Sequence, residues 1–115
     1  MIKLKRAYDE PSPDDGFRIL VERLWPRGLS KDRAKIDLWL KDVAPSAELR
    51  TWFGHDADKW KEFKARYRKE LAHNKEPLAF LRNKGKEGPI TFVYAARDDE
   101  HNSAIVLKAF LEKKG

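Results

Sequence analysis

The stretch that decides the fold is residues 17–28, which read FRILVERLWPRG. Its apolar run at 19–21, isoleucine, leucine and valine, is typical of a central β-strand. The proline and glycine within 25–28 predict that the strand ends there, because proline cannot donate to a β-ladder and glycine frees the backbone. We therefore expect a strand over 17–24 with a turn directly after it.

A second buried strand is expected near the other end of the chain. Residues 89–95 read PITFVYA, and this near-continuous apolar character indicates burial on both faces of a sheet. Residues 2–6 alternate apolar and basic side chains, which is the period of a half-buried or edge strand. Residues 9–16 are rich in proline, aspartate and glycine and predict a loop, whereas 29–44 has no clear pattern.

Helical patterns and capping residues separate these strands. Serine and aspartate are favoured N-caps, and glycine commonly follows the end of a helix. The expected helices are 47–53 between Ser46 and Gly54, a longer helix from Asp56 or Asp58 to about residue 73 with an aromatic face, 78–84, and a last helix capped by Asp98 or Asp99.

Strands that alternate with helices predict parallel pairing through right-handed crossovers. A chain of 115 residues also suits one domain. We therefore expect a single α/β domain over residues 1–115: a three-layer sandwich with a small, mostly parallel sheet and helices on both faces.

The composition excludes several classes of protein. With 41% hydrophobic residues, the chain is too apolar to be disordered, although 25 Lys and Arg against 19 Asp and Glu give it a net charge of +6. The absence of cysteine excludes a disulfide scaffold, a thiol nucleophile and cysteine-based metal sites, and the three histidines share no ligand spacing. No metal or cofactor is therefore predicted.

The same sequence contains no membrane-targeting signal. No apolar run approaches the roughly 20 residues that span a bilayer, and the first residues lack the apolar segment of a signal peptide. We expect a soluble, cytoplasmic protein without a membrane partner, and its oligomeric state stays open.

Basic side chains follow both central strands, and α/β sheets bind ligands beyond the carboxyl ends of their strands. Arg23 and Arg27 flank Trp25; guanidinium groups match phosphate, and an indole supports cation–π contact or stacking. Arg97 and Asn102 follow the second strand at the start of a helix, where backbone N–H groups favour an anion. The sequence therefore predicts an anion-binding site made of these five residues.

Several functions are compatible with such a site. The leading hypothesis is binding of a phosphorylated ligand, a nucleotide or a nucleic-acid backbone. A second is a small hydrolase or transferase using the same pocket, with His55, His101 or a carboxylate in acid–base chemistry. A third is an interaction module whose basic helix at 59–69 binds an acidic partner. Arg23 could instead pair with Glu22 or Asp15 in a structural salt bridge. Whether the domain is an enzyme stays open.

Residues 15–28 closely resemble the signature of the YeaO-like family, a bacterial and archaeal domain of unknown function. The RLWPRG block at 23–28 is specific, and the resemblance covers nearly the whole chain. It implies a small, single-domain, cytoplasmic α/β sandwich and supplies no activity. It continues through Pro45-Ser46, Glu48-Leu49-Arg50, Phe53, His55, Phe63, Tyr67, Glu70-Leu71, Tyr94-Ala95-Ala96, Asn102, Ala104 and Leu107.

The chain departs from the family pattern at two places. Broader relatives look as though they carry a cysteine in the last strand and Cys-His-Arg at the start of the next helix, whereas this chain has Tyr94 and no cysteine. Closer relatives look as though they carry Asn-His-Ala at the positions of residues 102–104, where the middle residue of this chain is Ser103. The resemblance therefore implies neither thiol chemistry nor a catalytic histidine at that position.

Overall fold

Four parallel strands form a central sheet within residues 2–113, the part of the chain that the computed structural model describes. The strands are β1 (Ile2–Arg6), β2 (Phe17–Leu20), β3 (Leu38–Trp39) and β4 (Ile90–Tyr94), in the spatial order β1-β4-β2-β3. The α-helices of the same region are α1 (Lys31–Ala34), α2 (Ala47–Phe53), α3 (Trp60–Ala72), α4 (Lys75–Glu87) and α5 (Ser103–Glu112). The predicted α/β fold is confirmed.

Strand β4 lies inside the sheet because its sequence suits burial on both faces. All five of its residues are buried. On one side it pairs with β1, from Ile2 opposite Ile90 to Arg6 opposite Tyr94, and on the other side it pairs with β2. The half-buried residues of β1 match its predicted place at an edge.

The large hydrophobic core lies between one face of the sheet and helices α2 to α5. Ile19 and Phe92 of the sheet belong to the same cluster as Phe53, Phe63 and Tyr67 of the helices. The rings of Phe53 and Phe63 stack with centroids 4.3 Å apart. The aromatic face of the long helix therefore packs in the core, as its spacing predicted.

The opposite face of the sheet carries a thinner layer. There Leu20 and Val93 pack against Trp25 and Trp39, and Arg18 of β2 donates to two carbonyls at the end of the short helix α1. The sandwich therefore has its main helical layer on one side only.

A buried ion pair fixes the start of β2 on this second face. Arg18 is 3% exposed; its Nη1 donates to Asp15 Oδ2 at 2.6 Å, and its other nitrogens donate to two carbonyls at the end of α1 at 2.7 and 3.1 Å. Lys5 Nζ lies 3.0 Å from the same carboxylate. Burial alone would raise the pKa of Asp15, but a backbone N–H and the two cations outweigh it and lower that pKa.

Strand β2 ends at Leu20, earlier than the predicted residue 24. The Val21 N–H still donates to Val93 O at 3.2 Å. The Glu22 carbonyl then accepts the indole N–H of Trp39 at 2.7 Å. The Trp39 indole thus occupies the Glu22 carbonyl, which would otherwise accept a backbone N–H from the neighbouring strand. The chain therefore leaves the sheet at this point.

The boundaries of two helices also differ from those expected. Helix α4 begins at Lys75, ahead of Pro77, because an N–H in the first helical turn has no intrahelical acceptor and proline is tolerated there. Helix α5 is capped by Asn102, which accepts the Ile105 N–H at 3.1 Å, so the cap predicted at residues 98–99 was wrong.

No helix within the described residues is long and apolar enough to cross a membrane.

Candidate functional site

A cavity of about 280 Å³ opens at the carboxyl edge of the sheet. The segment 22–27, which follows β2, forms one side, and residues 95–96 and 101–103, which follow β4, form another. Residues 44–45, the end of α2, Tyr8 and Phe63 of α3 also line it. The segments that follow the neighbouring parallel strands β2 and β4 therefore meet at the carboxyl edge of the sheet. Ligands characteristically bind at this edge in α/β proteins.

Most of the residues predicted for the site line this cavity. They are Arg23, Trp25, Arg27 and Asn102 of the predicted anion site and His55 and His101 of the predicted acid–base candidates. Arg97 instead lines a neighbouring depression together with Arg6, and the two hollows share Tyr8 and Ala95. The structure therefore brings the Trp-Pro turn and the start of α5 together and places Arg97 alongside them.

The two arginines of the turn have different surroundings. Arg23 is half-buried and donates from Nε to Pro45 O at 3.0 Å and from Nη2 to Ala44 O at 3.4 Å. It therefore holds the segment before α2 against the turn, and this contact is with backbone carbonyls rather than a salt bridge. The exposed Arg27 side chain has no hydrogen-bond partner among residues 2–113.

Indole groups hold the turn in place. Trp25 Nε1 donates to Leu29 O at 2.6 Å. Its ring meets that of Trp39 edge-on, with centroids 5.4 Å apart. The Tyr8 hydroxyl donates to Arg27 O at 2.9 Å. These bonds satisfy loop carbonyls and make Trp25 a fixed wall of the cavity.

Glu22 is a carboxylate of the cavity that the sequence prediction did not include. Its Oε2 accepts the Ala95 N–H at 2.8 Å, and the residue lines the cavity. Burial raises its pKa, although the Ala95 hydrogen bond and the nearby charges of His55 and Arg50 act in the opposite direction. The available sequence signal was that Glu22 is the one acidic residue within 17–28.

His101 has a defined orientation in the cavity wall. Its Nδ1 lies 2.9 Å from Asp98 Oδ2, and its ring meets Trp60 edge-on with centroids 5.2 Å apart. The Glu100 N–H and the His101 ring together lower the pKa of Asp98. An imidazole whose Nδ1 bonds a carboxylate presents Nε2 for other contacts.

His55 and Asn102 line the cavity in different ways. His55 is exposed with a backbone φ of 60°, and its ring centroid lies 6.3 Å from that of Phe53. Asn102 is 4% exposed; it caps α5 through Oδ1 and donates from Nδ2 to Asp98 O at 3.0 Å. Both functional atoms of the Asn102 amide thus already bond the protein.

The basic helix segment 59–69 lies in and before α3. Lys59 donates to Trp52 O at 2.9 Å, Arg66 pairs with Glu62, and Lys64 lies over the Trp60 ring at 5.4 Å. Three of its six basic side chains therefore already contact the protein itself.

No group of three or more acidic or histidine side chains within residues 2–113 is arranged to hold a metal ion. The cavity instead combines an apolar wall of aromatic and aliphatic side chains, one inner carboxylate, and cations such as Arg27 and Arg50. This combination suits a small ligand with an apolar or planar part and charged or polar ends.

Fold and site together define a small parallel α/β domain with a pocket at the carboxyl edge of its sheet. The chain belongs to the DUF488-N3i family, described as the inactive DUF488-N3 subclade, whose model matches residues 1–115.

Similar proteins include the uncharacterized protein YeaO of Escherichia coli strain K12, which is 39% identical over 110 residues and matched over 96% of both chains. Uncharacterized proteins of Mycobacterium tuberculosis and Mycobacterium bovis are 42% identical over 110 residues, covering 96% of this chain and 92% of theirs. These matches confirm the resemblance to the YeaO-like family. No solved structure matches the chain.

Proposed function

We propose that this domain binds a small phosphorylated ligand, such as a nucleotide, in the cavity at the carboxyl edge of the sheet. The observation that carries the proposal is the meeting of the turn after β2 with the start of α5 around one largely apolar cavity. Its lining includes Arg27, whose guanidinium has no hydrogen-bond partner among the described residues. The family description as an inactive subclade favours binding over catalysis.

The anion is assigned to the side of the cavity formed by Arg27. Its guanidinium is exposed and has no hydrogen-bond partner in the described part of the chain, so it is free to form a bidentate pair with a phosphate. Arg23 contributes through its remaining nitrogen, Nη1, and Trp25 supplies a rigid wall for a planar group. Asn102 acts indirectly by fixing the first turn of α5, and Arg97 lies beside the cavity.

The size of the cavity favours a small molecule over a nucleic-acid backbone. Its volume of about 280 Å³ lies just below the range of roughly 300–1,000 Å³ that is usual for small-molecule sites. A polyanion needs a groove of neutralising charges, and its binding weakens steeply with salt. A single charged contact inside a concave pocket weakens much less.

The direct test is isothermal titration of the protein with GMP, AMP and inorganic phosphate. Arg27→Ala should weaken the binding of each phosphorylated probe by about 10- to 150-fold, because a hydrogen bond to a charged group is worth about 1.5–3 kcal/mol. Arg68→Ala is the matched control, since Arg68 is also exposed but lies on α3 outside the cavity lining.

Equal effects of the two variants, or no binding of any of the three probes, would overturn the proposal. A single-stranded oligonucleotide that binds, and loses affinity steeply between 50 and 200 mM salt, would instead support the nucleic-acid alternative. Binding of a nucleotide that changes little over this range supports the small-molecule site.

A second candidate function, a hydrolase or transferase, rests on the His101–Asp98 pair and the raised pKa of Glu22. Perturbed carboxyls and oriented histidines in clefts are the groups that acid–base enzymes use. Its test is turnover of phosphate esters and its loss in His101→Asn. Nucleotide binding without turnover would favour the binding function.

A further inference from the structure

We propose that Glu22 selects the ligand by accepting hydrogen bonds from adjacent N–H groups on its planar part, which makes a guanine base the preferred occupant of the cavity. This inference rests on the proposed nucleotide-binding function. It assigns a specificity-determining role to Glu22, which precedes Arg23 of the predicted anion-binding site in the sequence.

The hydrogen bonding of Glu22 is incomplete within the described protein. Oε2 accepts the Ala95 N–H at 2.8 Å, whereas Oε1 has no donor among residues 2–113. An ionised carboxylate offers about four lone-pair sites on its two oxygens. Glu22 therefore retains acceptor capacity beside the cavity that it lines.

Glu22 is half-buried, and its free oxygen is accessible to solvent, because no buried side-chain oxygen or nitrogen of the described residues lacks a hydrogen-bond partner. Much of the surrounding wall is apolar, formed by residues such as Pro26, Phe53 and Phe63. A carboxylate that is partly withdrawn from water is stabilised by donors that reach its oxygens. The bond to Ala95 alone does not require a carboxylate, because a glutamine carbonyl can accept the same N–H. A ligand donor would use the acceptor capacity that the protein itself leaves free.

The geometry of the walls indicates the kind of donor. A cavity of about 280 Å³ with a fixed indole wall accommodates one planar heterocycle, with the remainder of a nucleotide directed towards the exposed Arg27. Of the common bases, guanine carries two adjacent donors, N1–H and the N2 amino group, which match the two oxygens of a carboxylate. The Watson–Crick edge of adenine offers one amino donor beside an acceptor nitrogen, which a carboxylate repels.

The experiment compares GMP, IMP and AMP by isothermal titration at pH 7.5, with inorganic phosphate as a fourth probe. The wild type should bind GMP about tenfold or more tightly than AMP. The reason is that guanine donates hydrogen bonds to the charged Glu22 carboxylate that adenine cannot fully replace. IMP, which has N1–H but no amino group, should fall between them.

Glu22→Gln separates recognition from structure. Its amide oxygen can still accept the Ala95 N–H, but its amide nitrogen opposes a donor, so the ratio of GMP to AMP affinity should fall towards one. Arg68→Ala should leave the ratio unchanged. Thermal unfolding of each variant establishes that the domain is folded.

The outcomes distinguish this inference from the function on which it rests. If the nucleotides bind with Arg27 dependence but equal affinity, or if Glu22→Gln keeps the wild-type ratio, the role of Glu22 is refuted and the anion site stands. If only inorganic phosphate binds in an Arg27-dependent way, the nucleobase inference fails while anion binding survives. If no probe binds, both fail.

Discussion

Replacing Arg18 with methionine would break the ion pair that is buried on the second face of the sheet. Methionine fills a similar volume but cannot donate, so Asp15 would keep only Lys5 as its cationic partner. The two carbonyls at the end of α1, which Arg18 reaches at 2.7 and 3.1 Å, would lose their side-chain donors. The variant therefore leaves buried polar groups unsatisfied at the start of β2.

The expected cost follows from the burial of both charges. Arg18 and Asp15 are each 3% exposed, and removing one partner of a buried pair costs about 3–5 kcal/mol. We expect the lower part of this range, because Lys5 remains beside Asp15. Since domains are stable by only about 5–15 kcal/mol, Arg18→Met should lose a large share of the free energy of unfolding. At about 4–8 °C per kcal/mol for small domains, Tm should fall by more than about 10 °C.

The assay is urea unfolding at pH 7, followed by tryptophan fluorescence and circular dichroism. Arg33→Met is the control, since Arg33 is exposed on the neighbouring α1 and surface substitutions usually change stability by less than about 0.5 kcal/mol. Adding Asp15→Asn to Arg18→Met should cost less than the sum of the single changes, because the partners are coupled. A loss under about 1 kcal/mol for Arg18→Met would refute the reasoning, since the pair would then contribute no more than an exposed one.

Two further predictions concern the cavity. Because burial raises the pKa of Glu22 above its ordinary value of 4.5, the native state binds more protons than the unfolded state, and this component of stability is lost as pH rises through the native pKa. Glu22→Gln should remove this component, so the stability of the wild type relative to Glu22→Gln, measured by urea unfolding, should fall as pH rises from 4 to 8; a constant difference would contradict it. Asn102→Ala should cost about 0.5–2 kcal/mol of unfolding free energy through the lost N-cap. Asn102→Ser should retain most of that stability, and equal losses in the two variants would show that capping is not the cause.

The parts of the fold that the sequence predicts well have strong local signals. The helix Ala47–Phe53 begins after Ser46 and ends at Gly54 as expected, because both caps are adjacent in sequence to the helix that they bound. The strand Ile90–Tyr94 is also predictable, since its apolar run requires burial whatever its neighbours are.

Other features depend on contacts between distant parts of the chain. Glu22 meets Ala95 across 73 positions, and nothing local to either residue indicates that contact. The early end of β2 has a similar cause, because the indole of Trp39 takes the Glu22 carbonyl. Sequence spacing likewise places Arg97 after β4 but does not determine which of two adjoining hollows its side chain lines.

The choice of cap for α5 shows a different limit. Asp98 and Asn102 are both good capping residues, and the sequence does not say which one starts the helix. In the structure Asp98 accepts the N–H groups of Glu100 and His101 at 2.9 and 3.0 Å, and Asn102 caps the helix itself. The segment from Asp98 to the first turn of α5 therefore contains two capped turns in succession, whereas the sequence predicted a single helix cap.

The aromatic hydrogen bonds to the turn after β2 have a consequence for selectivity. Donors from Tyr8, Trp25 and Trp39 bind three carbonyls within 22–29, so the conformational entropy of this turn is already lost in the free protein. A ligand therefore does not bear the cost of ordering it. If the domain binds a ligand here as proposed, the same rigidity would keep the wall from yielding to a bulkier molecule, and we expect the cavity to select by shape as well as by charge.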